Sequence, residues 1–248
     1  EGNFIVPPYD EFIRGPGAST LSASCSRGFT CILPTKVPTA TGIFGYCESN
    51  RRCQIEGNEN DPDFIVISSS EFSKLSSDDD GGAVYLKNCG LQCDNSKFIE
   101  CSAVNGGGGA IYIKIDALIP SQVTVKLSSF ANCQSSYAGG CFVYCSAEAN
   151  SVEFVSCRFE RNQIKSTGKE LVGGSALFLA IQNGKVEDCA FVKNKGGNSI
   201  KIHNKFDKSL LSDDLEFKSQ LSISSCTIEI ESDSKSSLYI ECDNLKRI

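Results

Sequence analysis

The chain has 248 residues, with 24 Lys and Arg against 30 Asp and Glu, a formal net charge of -6 and a pI near 5.0. This acidic balance, with basic pairs only at Arg51-Arg52 and Lys246-Arg247, argues against a nucleic-acid partner, which needs clustered cations. No apolar run approaches the ~18 residues that cross a bilayer, so no membrane insertion is expected, while 40% hydrophobic residues supply a sizeable core.

The chain opens at Glu1 and contains no Met. This predicts that an upstream segment is removed, and a cleaved signal peptide agrees with fourteen cysteines in an oxidising compartment. The expected location is extracellular or at the cell surface. An intracellular assembly with free thiols is the alternative. No Asn-x-Ser/Thr sequon is present.

Residues 1–62 read as an N-terminal cap or irregular first coil. They hold six of the seven prolines, and proline removes a ladder donor and fixes the backbone. Cys25 with Cys31 and Cys47 with Cys53 have equal spacing and are disulfide candidates, although spacing alone does not give connectivity.

Residues 63–248 read as a repeat domain of about six coils. Gly81-Gly82-Ala83-Val84-Tyr85-Leu86 recurs as Gly108-Gly109-Ala110-Ile111-Tyr112-Ile113, then as Gly139-Gly140-Cys141-Phe142-Val143-Tyr144. Two later copies begin at Gly173 and Gly196, so the first glycines at 81, 108, 139, 173 and 196 lie 27, 31, 34 and 23 residues apart. Such periodicity marks a repeat architecture. A second phrase precedes the glycines and aligns Phe72, Phe98, Phe130, Phe159, Phe191 and Ile228 in one column. Two residues earlier stand Ser70, Ser96, Ser128, Cys157, Cys189 and Cys226. Three residues after the aromatic stand Leu75, Cys101, Cys133, Asn162 and Asn194.

Each unit therefore holds at least two short strands joined by polar turns. Alternation has period two, as in Val125 and Leu127 against Thr124 and Lys126, and no segment carries a helical stripe over three turns. Like residues at intervals of about 30 are what a β-solenoid requires, because each residue's neighbours are its counterparts in the coils above and below. Leucine-rich repeats lack their consensus here, and a propeller needs four strands per blade. The expected fold is all-β, a right-handed parallel β-helix with an irregular N-terminal cap, the hand following from the preference of parallel crossovers. Insertions at 115–122, 163–172 and 206–219 would leave the turns without disturbing the stack.

The run from Phe98 to Tyr112, and that from Phe130 to Val143, resembles the repeat of polymorphic outer membrane proteins. The resemblance spans about residues 64–242 and is clearest in the first three Gly-Gly copies. It implies a β-helix of the pectin-lyase-like kind and a surface adhesive role. With no outer-membrane barrel segment within these residues and no counterpart in that family for the N-terminal segment, export by the autotransporter route is not expected.

Carboxylates deserve weighing, because polysaccharide lyases and hydrolases on this fold use clustered acids. Asp78-Asp79-Asp80 precedes a Gly-Gly and Asp213-Asp214 lies in an insertion, but the positions equivalent to Asp80 in other copies are Gly107 and Ala138. A solvated acidic turn is the better reading. The thiols of Cys157, Cys189 and Cys226 read as small buried side chains. Cys101 beside Cys133 is the candidate for a stacked bridge. No Cys-x-x-Cys is present and only His203 is available to assist a zinc site. His203 itself should face outward beside Lys201. Gly106 to Gly109 lacks the Lys-Ser/Thr of a phosphate loop and reads as a tight turn. No catalytic, metal or cofactor site is expected.

The expected function is that of a structural or adhesin-like rod, with a protein partner or self-assembly through its C-terminal coil and a glycan as a further candidate ligand. The runner-up is a polysaccharide lyase or hydrolase, which would need carboxylates, or a carboxylate with Arg158 or Arg161, converging on one face. An intracellular scaffold component is the third reading.

Overall fold

Short runs of alternating residues, each ended by one residue suited to a sharp corner, set the architecture. The computed structural model describes residues 32–34, 52–57, 63–116, 121–146, 150–165, 173–204, 220–230 and 238–242. The described residues contain strands and no helix. One sheet stacks Ile32–Pro34, Asp63–Ser68, Cys89–Asp94, Gln122–Lys126, Ser151–Val155, Asn183–Glu187 and Leu221–Ser224. A second stacks Cys53–Glu56, Val84–Lys87, Ile111–Ile115, Cys141–Cys145, Gly174–Ala180, Asn198–Asn204 and Leu238–Cys242. The third is narrower, with Glu71–Ser73, Lys97–Ile99, Ser129–Ala131, Arg158–Glu160, Ala190–Val192 and Thr227–Glu229. A fourth is built from the two-residue strands Ser76–Ser77, Ser102–Ala103, Gln134–Ser135 and Gln163–Ile164.

Each circuit of the chain visits the first, third, fourth and second sheets in turn, and each strand then pairs in parallel with its counterpart one coil away. The chain is thus an all-β parallel β-helix. Ile32–Pro34 is the exception in direction, running antiparallel along Asp63–Ser68 at one end of the first sheet. Cys53–Glu56 pairs in parallel with Val84–Lys87 at the same end of the second. The rest of the N-terminal segment lies outside the described residues, as do Cys25, Cys31 and Cys47.

The interior is a set of columns. Phe72, Phe98, Phe130, Phe159 and Phe191 are all fully buried, with successive ring centroids 4.5, 4.9, 4.7 and 5.0 Å apart and planes within 14° of parallel. Ile228 continues their column in register with Phe191. Opposite them, the first sheet turns Ile65, Leu91, Val123 and Val152 inward, and the second turns in Val84, Ile111, Cys141, Leu177 and Ile200.

Two corners of the coil are each turned by one residue in the left-handed region. Ser69, Asn95, Leu127, Ser156, Asp188 and Ser225 lie between the first and third sheets; Lys74, Glu100, Asn132, Arg161 and Lys193 lie between the third and fourth. Their φ values run from 47° to 57°. Asn and Ser tolerate this conformation better than a large aliphatic residue does. Leu127 departs from its expected inward place. The strand stops at Lys126, the chain turns at Leu127, and that side chain is 67% exposed.

The register of the Gly-Gly phrases also differs from the alignment of like letters. Ile111 pairs with Val84 as expected, but with Cys141 rather than Phe142 on the other side. Further along, Cys141 pairs with Leu177 rather than with Ser175, its counterpart by letter, an offset of two residues that keeps the same face. Because strand side chains alternate, a one-residue slip exchanges the inner and outer faces. Cys141 therefore points into the core, and Phe142 points out.

Candidate functional site

Polar groups inside the coils act as hydrogen-bond ladders. Ser70 Oγ, Ser96 Oγ and Ser128 Oγ each donate to the carbonyl two residues back, at 2.8–2.9 Å. The Ser70 and Ser96 N–H groups in turn donate to Ser96 Oγ and Ser128 Oγ of the next coil, at 3.2 and 3.1 Å. Where the column changes to cysteine the same work continues. The Cys157 N–H donates to Cys189 Sγ at 3.4 Å, and the Cys157, Cys189 and Cys226 thiols donate to the carbonyls of Val155, Glu187 and Ser224. Asn162 and Asn194 form a matching ladder, with the Cys133 and Asn162 N–H groups donating to Asn162 Oδ1 and Asn194 Oδ1 at 2.9 Å. These thiols are thus substitutes for hydroxyls and not merely small filler.

Cys53 is disulfide-bonded. Cys101 and Cys133 lie one coil apart as buried thiols, unbridged, each donating to backbone carbonyls. Parallel neighbours point their side chains the same way, so stacking alone leaves the sulfurs apart by more than a bond length. Cys93, Cys141, Cys145, Cys157, Cys189 and Cys226 also carry no disulfide. Burial pushes Cys93 and Cys145 up to about 12 and raises Cys141 well above the usual thiol range. Among the described residues no group of three or more His, Cys, Asp or Glu side chains is placed to hold a metal.

The outer face of the second sheet carries a feature that the alignment of like letters did not expose. The corrected register sets Gln54, Tyr85, Tyr112, Phe142, Phe178, Lys201 and Tyr239 in one outward row. Rings of Tyr85, Tyr112, Phe142 and Phe178 stack with centroids 5.5, 4.6 and 4.9 Å apart and planes within 5° of parallel. The guanidinium of Arg52 lies 5.3 Å above the Tyr85 ring, and the Lys201 ammonium lies 5.3 Å from that of Tyr239. The aromatic letters at Tyr85 and Tyr112, second in each strand after the glycines, were the available signal.

Tyr137 fastens this row. Its ring meets Phe142 edge-on with centroids 5.8 Å apart, crosses Gly107 one coil below, and its hydroxyl donates to Asp80 Oδ1 at 2.8 Å a further coil away. The same carboxylate oxygen accepts the Gly107 N–H at 2.7 Å, and the Asp80 carbonyl accepts from Arg52. Burial first, then the hydrogen bond to the Asp80 carboxylate and its charge, pushes the Tyr137 phenol up to about 12. Tyr112 is raised as well, mainly by burial and by Asp80.

The Asp80 carboxylate of the Asp78-Asp79-Asp80 turn and the Arg158 and Arg161 guanidiniums are engaged separately. Asp78 and Asp79 are exposed while Asp80 is held in the clasp. Arg158 and Arg161 both pair with Glu160, at 3.0 Å each, on the outside of the third sheet. His203 is half-buried, with Ile202 buried beside it. Asp213 and Asp214 lie outside the described residues. Arranged this way, the polar groups brace neighbouring coils, and the ring faces of the outer row are turned on one another. The fold and its ladders define a β-helical repeat protein. In comparisons with known proteins the chain matches no family model, no curated protein and no solved structure.

Proposed function

We propose that the chain is a structural, adhesin-like β-helical rod, working through contacts along its faces and at the edge of its last described coil. The observation that carries this reading is a change of exposure along one interior column. Ile200 and Ile202 are fully buried, whereas Leu238 and Ile240, their partners one coil on, are 38% and 42% exposed. Tyr239 and Ile230 are exposed as well. Beyond Leu221–Ser224, Thr227–Glu229 and Leu238–Cys242 no further strand is paired among the described residues. Such an edge invites strand addition by a protein partner or another copy.

Other observations support the same reading. Asp80, Arg158, Arg161 and Tyr137 are engaged in contacts between or within coils. A glycan that stacks on aromatic rings needs a free ring face, and in the stack of Tyr85, Tyr112, Phe142 and Phe178 those faces cover each other. The disulfide at Cys53 supports an oxidising, extracellular or surface location, as does the resemblance of the Gly-Gly phrases to repeats of surface proteins.

Sedimentation velocity over a range of concentrations, combined with amide hydrogen exchange, tests the proposal. Larger species should form as concentration rises, with added protection at Leu238–Cys242, and Ile240→Lys should abolish both. A monomer at every concentration, with those amides already as protected as Asn198–Asn204, would remove the basis for it.

A further inference from the structure

The column that runs Leu75, Cys101, Cys133, Asn162 and Asn194 contains two cysteines bracketed by residues that cannot form a disulfide. Their coils are in direct contact, since the Gln134 N–H donates to the Cys101 carbonyl at 2.9 Å. Adjacent rungs of a parallel ladder stand about 4.8 Å apart, within the Cα range that a disulfide accepts. The Cys133 sulfur already reaches toward the lower coil, lying 3.6 Å from the Phe98 carbonyl oxygen, while Cys101 Sγ lies 3.7 Å from that of Phe72. Both side chains are fully buried. We propose that Cys101 and Cys133 are a latent disulfide, a redox-sensitive staple between two successive coils that closes when a small peroxide enters the core.

The chemistry is internally balanced. A thiolate at Cys101 attacks one oxygen of hydrogen peroxide, breaking the O–O bond and giving a sulfenic acid as the released hydroxide takes up a proton to become water. Cys133 then attacks that sulfur, its proton leaves with the sulfenic oxygen, and a second water is released. Two thiols are oxidised by two electrons and one peroxide is reduced. Cys101 suits the first step, because hydrogen bonding with Cys133 draws its pKa below the usual thiol value, while burial raises the pKa of Cys133. Closure requires rotation about a side-chain bond and loss of the thiol-to-carbonyl hydrogen bonds.

This column is better suited than the neighbouring one. Cys157, Cys189 and Cys226 are three in a row and cannot pair completely, and the Cys157 N–H depends on Cys189 Sγ as acceptor. A sulfur accepts a backbone N–H from the preceding coil in both columns, Cys189 from Cys157 and Cys133 from Cys101, so the third thiol is what sets them apart. The staple would hold together coils whose Phe98 and Phe130 rings are stacked, making their separation harder.

Peptide mapping of the whole protein is the test. The folded chain is treated with hydrogen peroxide, remaining thiols are alkylated in denaturant, and non-reduced digests by chymotrypsin and trypsin are compared by mass spectrometry. A linked pair of peptides containing Cys101 and Cys133, lighter by two hydrogens than their sum, is expected. It should vanish on reduction and persist in Cys189→Ser. The oxidised protein should unfold at a higher denaturant concentration, and reductant should reverse the shift. Linkage of Cys101 to Cys93 or Cys141, linkage of Cys157 to Cys189 in its place, or only irreversible sulfinic and sulfonic products would overturn the proposal. So would recovery of both peptides alkylated after peroxide exposure sufficient to oxidise the unfolded chain. Because the unaltered protein gives the decisive result, misfolding of a variant cannot mask it.

Discussion

Replacing Gly107 by alanine tests the clasp that Tyr137 makes across the outer face. An added Cβ would overlap the Tyr137 ring, with Cδ2 only 2.7 Å away and the nearest atoms all belonging to that ring. Gly107 is not in the left-handed region, so the substitution adds no backbone strain. The ring must therefore swing away. That breaks the phenol's hydrogen bond to the Asp80 carboxylate, worth about 1.5–3 kcal/mol for a charged acceptor and less here because the ring is only half-buried. The edge contact with Phe142 contributes about 0.5–1.5 kcal/mol more. A loss of about 2–3 kcal/mol is expected from Gly107→Ala. In a Tyr137→Ala background the added methyl no longer meets the ring, and its restriction of the unfolded chain should make it neutral or stabilising by about 0.4–1 kcal/mol. Urea unfolding followed by circular dichroism on the four proteins of the double-mutant cycle gives the coupling, provided the slopes agree. Equal costs for Gly107→Ala in the two backgrounds would refute the idea that this glycine exists to admit the ring.

Four further outcomes are expected. Leu127→Asn should raise stability by about 0.5–1 kcal/mol, since the side chain is exposed and its left-handed corner favours asparagine; a decrease in the unfolding midpoint would count against that reading. Phe130→Ala should cost about 3–5 kcal/mol by opening a cavity between Phe98 and Phe159, measured by the same urea titration. Cys189→Ser should be nearly neutral, whereas Cys189→Ala should cost about 1–3 kcal/mol because the Cys157 N–H loses its acceptor. Buried thiols also fix an alkaline limit. Cys93 and Cys145 are raised in the folded state, so the stability they confer is complete below the ordinary thiol range near pH 9 and is lost as pH climbs toward about 12. Equilibrium unfolding between pH 8 and 12 should show this decline, and Cys93→Ala should make it shallower.

Much of the interior was legible in the sequence because a stacked coil repeats its demands. A position that must hold a ring in one coil must hold one in the next, so Phe72, Phe98, Phe130, Phe159 and Phe191 could be aligned by letter. The Ser-to-Cys column was also legible in place, though not in role. Sulfur and hydroxyl look like interchangeable small groups in a sequence, and only the ladder of N–H donors reveals why both are used.

The outer face was decided by tertiary structure. Its row depends on a register between Ile111–Ile115 and Cys141–Cys145 that differs by one residue from the alignment of letters, and a slip of one reverses which side chains face water. Letters alone placed Phe142 with Ile111; pairing placed it on Tyr112. The Tyr137 clasp joins residues 57 apart in the chain across three coils, a contact no local pattern encodes. By itself the sequence determined that the chain must stack on itself, because like residues recur at coil length. Which groups then meet across the outside depended on how glycine turns and insertions set each coil against the next.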